Sequence, residues 1–219
     1  MCTAFVRKGK DVIVGFNMDI NLGAVDYNVY VEPNQFYVGV DPSGVKMAYS
    51  ELAKNYTKGS EPSVIRIHGI NHNGNFGYCL NNMCYTKAPF KSGTNVISID
   101  QIVDSYISGT KSLEDVIRIV NEKEVYAVLS NFSMLELPGD LCEENTGYYG
   151  KDRYDKAMHI LRNSNDDFSV EDGINLLRTV KQEGNWATRV SFVYSNNENA
   201  VYYCMERDFD HMIRYRFAN

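Results

Sequence analysis

The sequence predicts an α+β protein whose sheets are antiparallel. Segments that alternate apolar and polar residues come in neighbouring pairs near both ends of the chain, each pair joined by a short turn. Segments with helical periodicity lie between these pairs. Strands, then helices, then strands are typical of the α+β class, and hairpins pair antiparallel. The chain has 219 residues, 44% hydrophobic and 12% aromatic, which suffices for one sizeable core, so we predict a single domain over residues 1–219.

The first half of the chain is predicted as hairpins. Residues 2–7 and 11–18 alternate on either side of a turn at 8–10, so a hairpin here returns Asp19 to the start of the chain. Residues 41–62 are rich in Gly, Pro, Ser and Lys and are predicted as loop with a short irregular strand. Further strands are predicted over 28–32, 35–40, 64–71 and 75–85, with turns at 33–34 and 72–74.

Helices are predicted in the middle of the chain and again after it. Ser98 is the predicted N-cap of the first helix, and Gly109 its stop. Ser112 and Asp115 resemble a capping box that opens a second helix through Val120. Later helices are predicted over 152–161 and 169–180, and the remaining strands over 125–131, 188–195, 200–206 and about 212–217, with an Asn-rich turn at 196–199.

Charge and composition argue against several classes of partner. The net charge is −6, the pI is near 5.3, and no run of Lys or Arg exceeds two residues, so nucleic acid is not an expected partner. No apolar stretch is long enough for a membrane span, and Arg7, Lys8 and Lys10 stand where a signal peptide needs apolar residues. The five Cys residues are odd in number and irregularly spaced, which favours reduced thiols and a cytoplasmic location.

Cys2 directly follows the initiator Met1. Because Met1 is usually removed ahead of a small residue, Cys2 is expected to carry both a thiol and a free α-amine. An α-amine has a pKa of about 7.7–8.0, close to the pH at which a general base works best. Cys2 is therefore a candidate nucleophile with its own base. By itself, a Cys at position 2 is weak evidence for this role, because any chain can carry Cys there by chance.

Four other residues offer the groups that a thiolate attack on an amide requires. Asp19 could anchor the α-ammonium, or it could simply end a strand. Asn81 or its neighbour Asn82, together with Asn131, could donate to an oxyanion, although Asn at a strand end is commonly turn chemistry. Arg153 lies in the first turn of a predicted helix, where the helix dipole does not favour a cation, so another reason for it is expected.

These segments together resemble a known family. In chain order they are Met1-Cys2-Thr3, GFNMD (15–19), GINHNG (69–74), LN (80–81), SNFS (130–133), LPGDL (137–141) and DRY (152–154). In this order they resemble the choloylglycine hydrolase family of N-terminal nucleophile hydrolases, which includes bile salt hydrolases and penicillin V acylases. The resemblance spans nearly the whole chain, and the ordered combination is far more specific than any single segment.

The resemblance implies a fold and an activity. The fold would be a four-layer αββα sandwich of two antiparallel sheets flanked by helices, smaller than is typical of the family. The activity would be hydrolysis of a linear amide C–N bond in an N-acylated small molecule, through a Cys2 thioester and without a metal or organic cofactor. The implied catalytic residues are Cys2, Asp19, Asn81 (Asn82 in the alternative register), Asn131 and Arg153.

The chain departs from the family pattern in two ways. The family Arg close to the nucleophile corresponds here to Phe16, so a cation that favours the thiolate is missing and bile salt specificity is not implied. Only about five residues, near 121–125, replace a family hairpin, and the long loop before residue 137 is missing as well. Because that loop supports oligomers in the family, a homo-oligomer stays open.

Rival sites and rival functions follow from the same residues. His68 and His72 are four apart in a strand that runs into a turn, and Cys79 and Cys84 lack metal-ligand spacing, so no metal site is expected. A catalytically silent binding protein on the family scaffold is one alternative function. An acyltransferase that uses the same acyl-enzyme is another.

Overall fold

The computed structural model describes residues 2–21, 25–45, 65–78, 107–109, 125–130 and 150–218. Within these ranges the chain forms ten strands, two complete α-helices and one short 3₁₀ helix at Gly184–Trp186. The strands are β1 (Cys2–Lys8), β2 (Val12–Asp19), β3 (Val25–Glu32), β4 (Gln35–Val45), β5 (Ile65–Asn71), β6 (Phe76–Tyr78), β7 (Tyr126–Leu129), β8 (Thr188–Ser195), β9 (Ala200–Met205) and β10 (Ile213–Arg216). The helices are α1 (Lys151–Arg162) and α2 (Val170–Thr179). The predicted α+β class with two antiparallel sheets is confirmed.

Chain contacts divide the molecule into two compact units. Of the described residues, the first unit contains 2–19, 125–130 and 150–214. The second contains 20–21, 25–45, 65–78, 107–109 and 215–218. The single domain that the sequence predicts stays a prediction.

The first unit is built on a six-stranded sheet in the order β10-β9-β8-β2-β1-β7. Its central hairpin is the predicted one, because β1 pairs antiparallel with β2 from Cys2 opposite Met18 to Lys8 opposite Val12. β7 and β8 add to the two outer sides of this hairpin, also antiparallel. The hairpin therefore brings Asp19, the last residue of β2, next to the first residue of β1.

The two faces of this sheet have different roles. Cross-strand partners share a face, so Thr3, Phe5 and Arg7 of β1 lie on the same side as Asn17, Gly15 and Ile13 of β2. Helices α1 and α2, as predicted, cover this side and bury a common apolar core. The largest members of that core are Phe5, Ile13, Leu161, Phe168, Leu176 and Phe209. By the same alternation Cys2, Ala4, Phe16 and Met18 lie on the opposite side of the sheet.

A polar anchor fixes the loop between the two helices to this sheet. Arg7 is 4% exposed and donates from Nε to Ser164 Oγ at 2.9 Å and from Nη2 to the Asn165 carbonyl at 2.8 Å. Because Ser164 and Asn165 directly follow α1, these bonds set where α1 ends relative to β1. The position of Arg153 over the start of β1 depends on this placement.

The second unit is built on a four-stranded antiparallel sheet in the order β3-β4-β5-β6. The fully buried apolar side chains among its described residues are Phe36, Val38, Ile67, Ile70 and Ile107. The predicted turn after β5 is present, and Asn71 Oδ1 closes it by accepting from the backbone of Asn73 (3.0 Å) and of Asn75 (3.1 Å).

The strand predicted over 35–40 is longer in the structure. Residues 41–62 were predicted as loop with a short irregular strand, and β4 continues through 41–45 to Val45, which pairs with Val25. The ladder is interrupted between the pairs Val40–Tyr27 and Val45–Val25, and Pro42 lies in that interruption, where a missing N–H costs no ladder bond. Pairing with β3 thus overrides a local composition that is typical of a loop.

Several predicted elements lie outside the described residues. They are the strand residues 79–85, the loop residues 46–62, most of the helix from Ser98, and the helix from Ser112 to Val120. Gly109, the predicted stop of the first of these helices, is described and has φ of 75°, in the left-handed region that ends helices. In the described part of the chain, no helix has the length and apolar character that a membrane crossing requires.

Candidate functional site

Cys2 opens β1 and is 6% exposed. Its carbonyl oxygen accepts from Arg153 Nη1 at 2.9 Å and from Ser130 Oγ at 3.4 Å, so two donors hold its backbone. Burial raises the pKa of the Cys2 thiol to about 11, and the Asp19 charge adds to that rise. The charge of the chain's N-terminus, a hydrogen bond from the Asp19 backbone and the charge of Arg153 act in the opposite direction. In the chain that begins with Met1, the thiol is therefore neutral at pH 7.

Asp19 ends β2 and is 1% exposed. Its Oδ2 accepts from Gln182 Nε2 at 2.7 Å and from Arg153 Nη1 at 3.1 Å, and its Oδ1 accepts from Thr188 Oγ1 at 2.5 Å. Burial raises the pKa of Asp19 to about 6, and the hydrogen bonds from Thr188 and Gln182 and the Arg153 charge oppose that rise. Asp19 is consequently a buried carboxylate that is still mostly ionised at neutral pH.

Arg153 connects the start of β1 to the end of β2. Its guanidinium is 4% exposed, and one nitrogen, Nη1, donates to the Cys2 carbonyl, to Thr3 Oγ1 at 2.8 Å and to Asp19 Oδ2. A cation in the first turn of a helix is disfavoured by the helix dipole, as the sequence indicated. The buried ion pair with Asp19 is the reason for Arg153 at this position.

A β-bulge brings Thr188 to Asp19. Along the β2–β8 pairing, Met18 lies opposite Val190 but Asp19 lies opposite Thr188, so Arg189 is the extra residue. In an unbroken ladder Asp19 would face Arg189, because the pairing advances by one residue on each strand. The bulge instead turns the Thr188 hydroxyl towards the carboxylate, a use of bulges that is frequent beside functional sites.

The segment between α2 and β8 also helps to hold the Asp19 carboxylate. The backbone N–H of Gln182 donates to Thr188 Oγ1 at 2.8 Å, and the backbone N–H of Thr188 donates to the Gln182 carbonyl at 3.0 Å. We call residues 182–188, which include the single Trp of the sequence at Trp186, the clasp. Its two end residues both donate to Asp19.

The structure brings three of the predicted site residues together. Cys2, Asp19 and Arg153 meet within one compact unit. The predicted oxyanion donors Asn81, Asn82 and Asn131 lie outside the described residues.

Phe16, at the position of the family Arg, is fully buried on the same side of the sheet as Cys2, and its ring packs against Phe192 at 5.6 Å between centroids. The interior on this side of the sheet is therefore apolar next to the candidate nucleophile. An apolar neighbour disfavours the thiolate, in keeping with the direction in which burial moves the Cys2 pKa.

Sequence reasoning missed Thr188, Gln182 and Ser130. Thr is common at the start of a strand and Gln is common after a helix, so neither residue type indicates a functional site here. The bulge that brings Thr188 to Asp19 has no signature in the sequence. Ser130 carried a signal in the sequence, because it immediately precedes Asn131 in SNFS.

Of the residues considered for a metal, the structure describes only His68 and His72. His68 is fully buried, and burial lowers its pKa to about 3, so it stays neutral within the second unit. Cys79 and Cys84 lie outside the described residues. Among the residues that are described, no three His, Cys, Asp or Glu side chains are grouped as ligands of a metal ion.

A scan against protein-family models matches no family, and a search of curated proteins finds no sequence of significant similarity.

Proposed function

We propose that the chain is an N-terminal nucleophile hydrolase of the choloylglycine hydrolase type, which cleaves the linear amide bond of an N-acylated small molecule. One observation carries the proposal. Cys2 lies against a buried Asp–Arg ion pair, and Arg153 joins the Cys2 carbonyl to the Asp19 carboxylate. The two ends of the first hairpin thus meet at charged groups that water does not reach.

The burial of Asp19 and Arg153 next to Cys2 supports a functional interpretation of these residues. Burying an ion pair costs desolvation that the attraction between the two charges only partly offsets, so apolar residues of similar size commonly stabilise a fold as well or better. A buried pair next to a thiol is therefore more readily explained by chemistry than by stability. Asp19 would hold the α-ammonium of Cys2, and Arg153 would stabilise negative charge near the sulfur.

In the proposed reaction the released α-amine of Cys2 takes the thiol proton while the sulfur attacks the amide carbon. The tetrahedral oxyanion accepts hydrogen bonds from Asn81, or Asn82 in the alternative register, and from Asn131. The amine of the substrate leaves with the proton from the ammonium, and a thioester remains. The α-amine then deprotonates water, which hydrolyses the thioester and restores the thiol.

The pKa values constrain the timing of the first proton transfer. Burial raises the pKa of the Cys2 thiol above that of an ordinary α-amine. Full transfer of the thiol proton before attack would therefore add a free-energy cost to the barrier. General-base catalysis, in which the proton moves as the S–C bond forms, avoids most of it.

The assignment of Asn131 is supported by strand register. β1 and β7 pair antiparallel, with Ala4 opposite Leu129. Ser130, which follows Leu129 and precedes Asn131 in the sequence, donates to the Cys2 carbonyl. An amide donor at 131 is therefore a reasonable partner for an oxyanion formed at Cys2.

The test is hydrolysis of a panel of N-acylated compounds: conjugated bile salts, phenoxyacetyl penicillin and N-acyl homoserine lactones. The parent chain is expected to release the amine from at least one of them, and Cys2→Ala to release none. Cys204→Ala is the matched control, because Cys204 is also a buried free thiol but lies in the helix-side core. Full activity in Cys2→Ala, or loss of activity only in Cys204→Ala, would refute the assignment.

A silent binding protein is the second candidate, favoured by the neutral buried thiol and by Phe16 at the position of the family Arg. It predicts that the parent chain binds one of the panel compounds, measured by calorimetry, without cleaving it. An acyltransferase would instead pass the acyl group to an added amine in place of water. We also propose a cytoplasmic location, which agrees with the free thiols of Cys2 and Cys204.

A further inference from the structure

We propose that Thr188 and Gln182 are positioning residues for Asp19: their donors fix the orientation of its carboxylate and keep it in the charged form that holds the Cys2 ammonium. This inference rests on the proposed function, and it concerns residues that the motifs of the sequence did not single out.

The direction of each hydrogen bond in the clasp is determined. Thr188 Oγ1 accepts from the Gln182 backbone N–H, so its single proton is available for Asp19 Oδ1, 2.5 Å away. Gln182 Nε2 is an amide donor and lies 2.7 Å from Asp19 Oδ2. Together with Arg153, both carboxylate oxygens receive donors, and an ionised carboxylate is the acceptor that suits all of them.

Charge and burial compete at this carboxylate. Among the described residues, the titratable or charged side chains that face Asp19 are the Cys2 thiol on β1 and Arg153 on α1, while β8 and the segment before it supply the neutral Thr188 and Gln182. The positive charge of the chain's N-terminus also lowers the pKa of Asp19. Burial raises the pKa of Asp19 to about 6, and the hydrogen bonds from Thr188 and Gln182 oppose that rise more strongly than the Arg153 charge does.

The balance is close enough for one hydrogen bond to matter. With a pKa of about 6, roughly nine in ten Asp19 side chains are ionised at pH 7. Loss of one hydrogen bond to a charged group raises the pKa by about one pH unit or more, which leaves about half or fewer of the side chains ionised. Because the ionised form is the active one, the acid limb of the activity profile should move to higher pH by the same amount.

The experiment compares Thr188→Val, which keeps the side-chain shape without the hydroxyl, with Thr188→Ser, which keeps the hydroxyl. Gln182→Met removes the second donor and serves as an independent variant if Thr188→Val does not fold. Thr179→Val makes the same chemical change at an exposed site on α2. The titration of Asp19 is followed by NMR of protein labelled with ¹³C at the Asp carboxyl carbons, with Asp19→Asn identifying the signal.

The expected midpoint for Asp19 is the same in the parent, Thr188→Ser and Thr179→Val chains, and about one pH unit higher in Thr188→Val and Gln182→Met. An unchanged midpoint in both of the latter variants overturns the proposal. The profile of kcat/KM against pH on the substrate that the parent cleaves should shift with the NMR midpoint. A uniform loss of activity with no shift also overturns it, because that is the effect of a merely structural role.

The two proposals fail in different ways. If the parent chain cleaves none of the panel but the midpoint moves as expected, the proposed hydrolysis is wrong and the control of Asp19 by the clasp stands. If the parent chain is active and the midpoint does not move, the hydrolysis stands and the clasp has no role in it.

Discussion

The side chains of Asp19 and Arg153 carry opposite charges in a part of the first unit that water does not reach. Removing one member of a buried pair leaves the other without compensation, typically at a cost of about 3–5 kcal/mol. Both charges must therefore be placed accurately, and the residues that fix Arg153 matter as much as Arg153 itself. Gly150, the N-cap of α1, is one of them.

Gly150 allows two close approaches at once. Its φ is 82°, and a Cβ there would lie 2.3 Å from Ser130 Oγ and 2.5 Å from Arg153 Nη2. Gly150→Ala therefore combines left-handed strain of about 1 kcal/mol with a steric clash that costs a further 1–3 kcal/mol or so. We expect a total loss of about 2–4 kcal/mol in the free energy of unfolding, measured by urea denaturation, with a fall in kcat/KM because Arg153 is displaced.

Gly184→Ala is the matched control for this substitution. Gly184 has φ of 75°, and nothing lies within 4 Å of a Cβ built on it, so only the backbone strain is expected. Equal losses of stability at positions 150 and 184 would contradict the close packing of Arg153 and Ser130 around Gly150.

The clasp lies between two features of the first unit that fix its ends. The bulge at Arg189 sets where β8 presents Thr188, and helix α2 sets where the clasp begins. Helix α2 is tied to β2, since Asn17 Nδ2 donates to the Leu177 carbonyl at 2.8 Å. If the start of α2 lost its order, we would therefore expect the positions of both β2 and β8 to change.

The start of α2 is fixed by a capping box. Ser169 Oγ accepts from the Asp172 backbone N–H at 3.2 Å, and Asp172 Oδ2 accepts from the Ser169 backbone N–H at 2.8 Å. Ser169→Ala is expected to lower the free energy of unfolding by about 1 kcal/mol, measured by urea denaturation with Trp186 fluorescence. Thr179→Ala, at the exposed end of the same helix, should change it by less than about 0.5 kcal/mol. Similar values for the two variants would argue against the capping box as a source of stability.

At the scale of the molecule, the sequence predicted the elements whose signals are local. Hairpin alternation predicted β1 and β2, and helical periodicity with Ser169 at the start predicted α2. The continuation of β4 to Val45 was missed because its cause is pairing with β3, more than ten residues away in sequence. Long-range pairing overrides local composition in strands more than in helices.

The residues of the candidate site fall into the same two groups, those with a local signal in the sequence and those without one. Cys2, Asp19 and Arg153 could be predicted, because a hairpin joins the first two and the third is a cation misplaced for its helix. Thr188 and Gln182 could not, because a one-residue change of register decides which side chain faces Asp19. The donors that tune a buried charge are set by tertiary register, which residue types alone do not encode.

The most direct test of the central claim is the intact mass of the chain, quenched with acid during turnover of the best substrate in the panel. The account predicts a chain without Met1 that carries one acyl group, mapped by fragmentation to Cys2 and missing from Cys2→Ala. An active chain that retains Met1, or an acyl group on any residue other than Cys2, would contradict it.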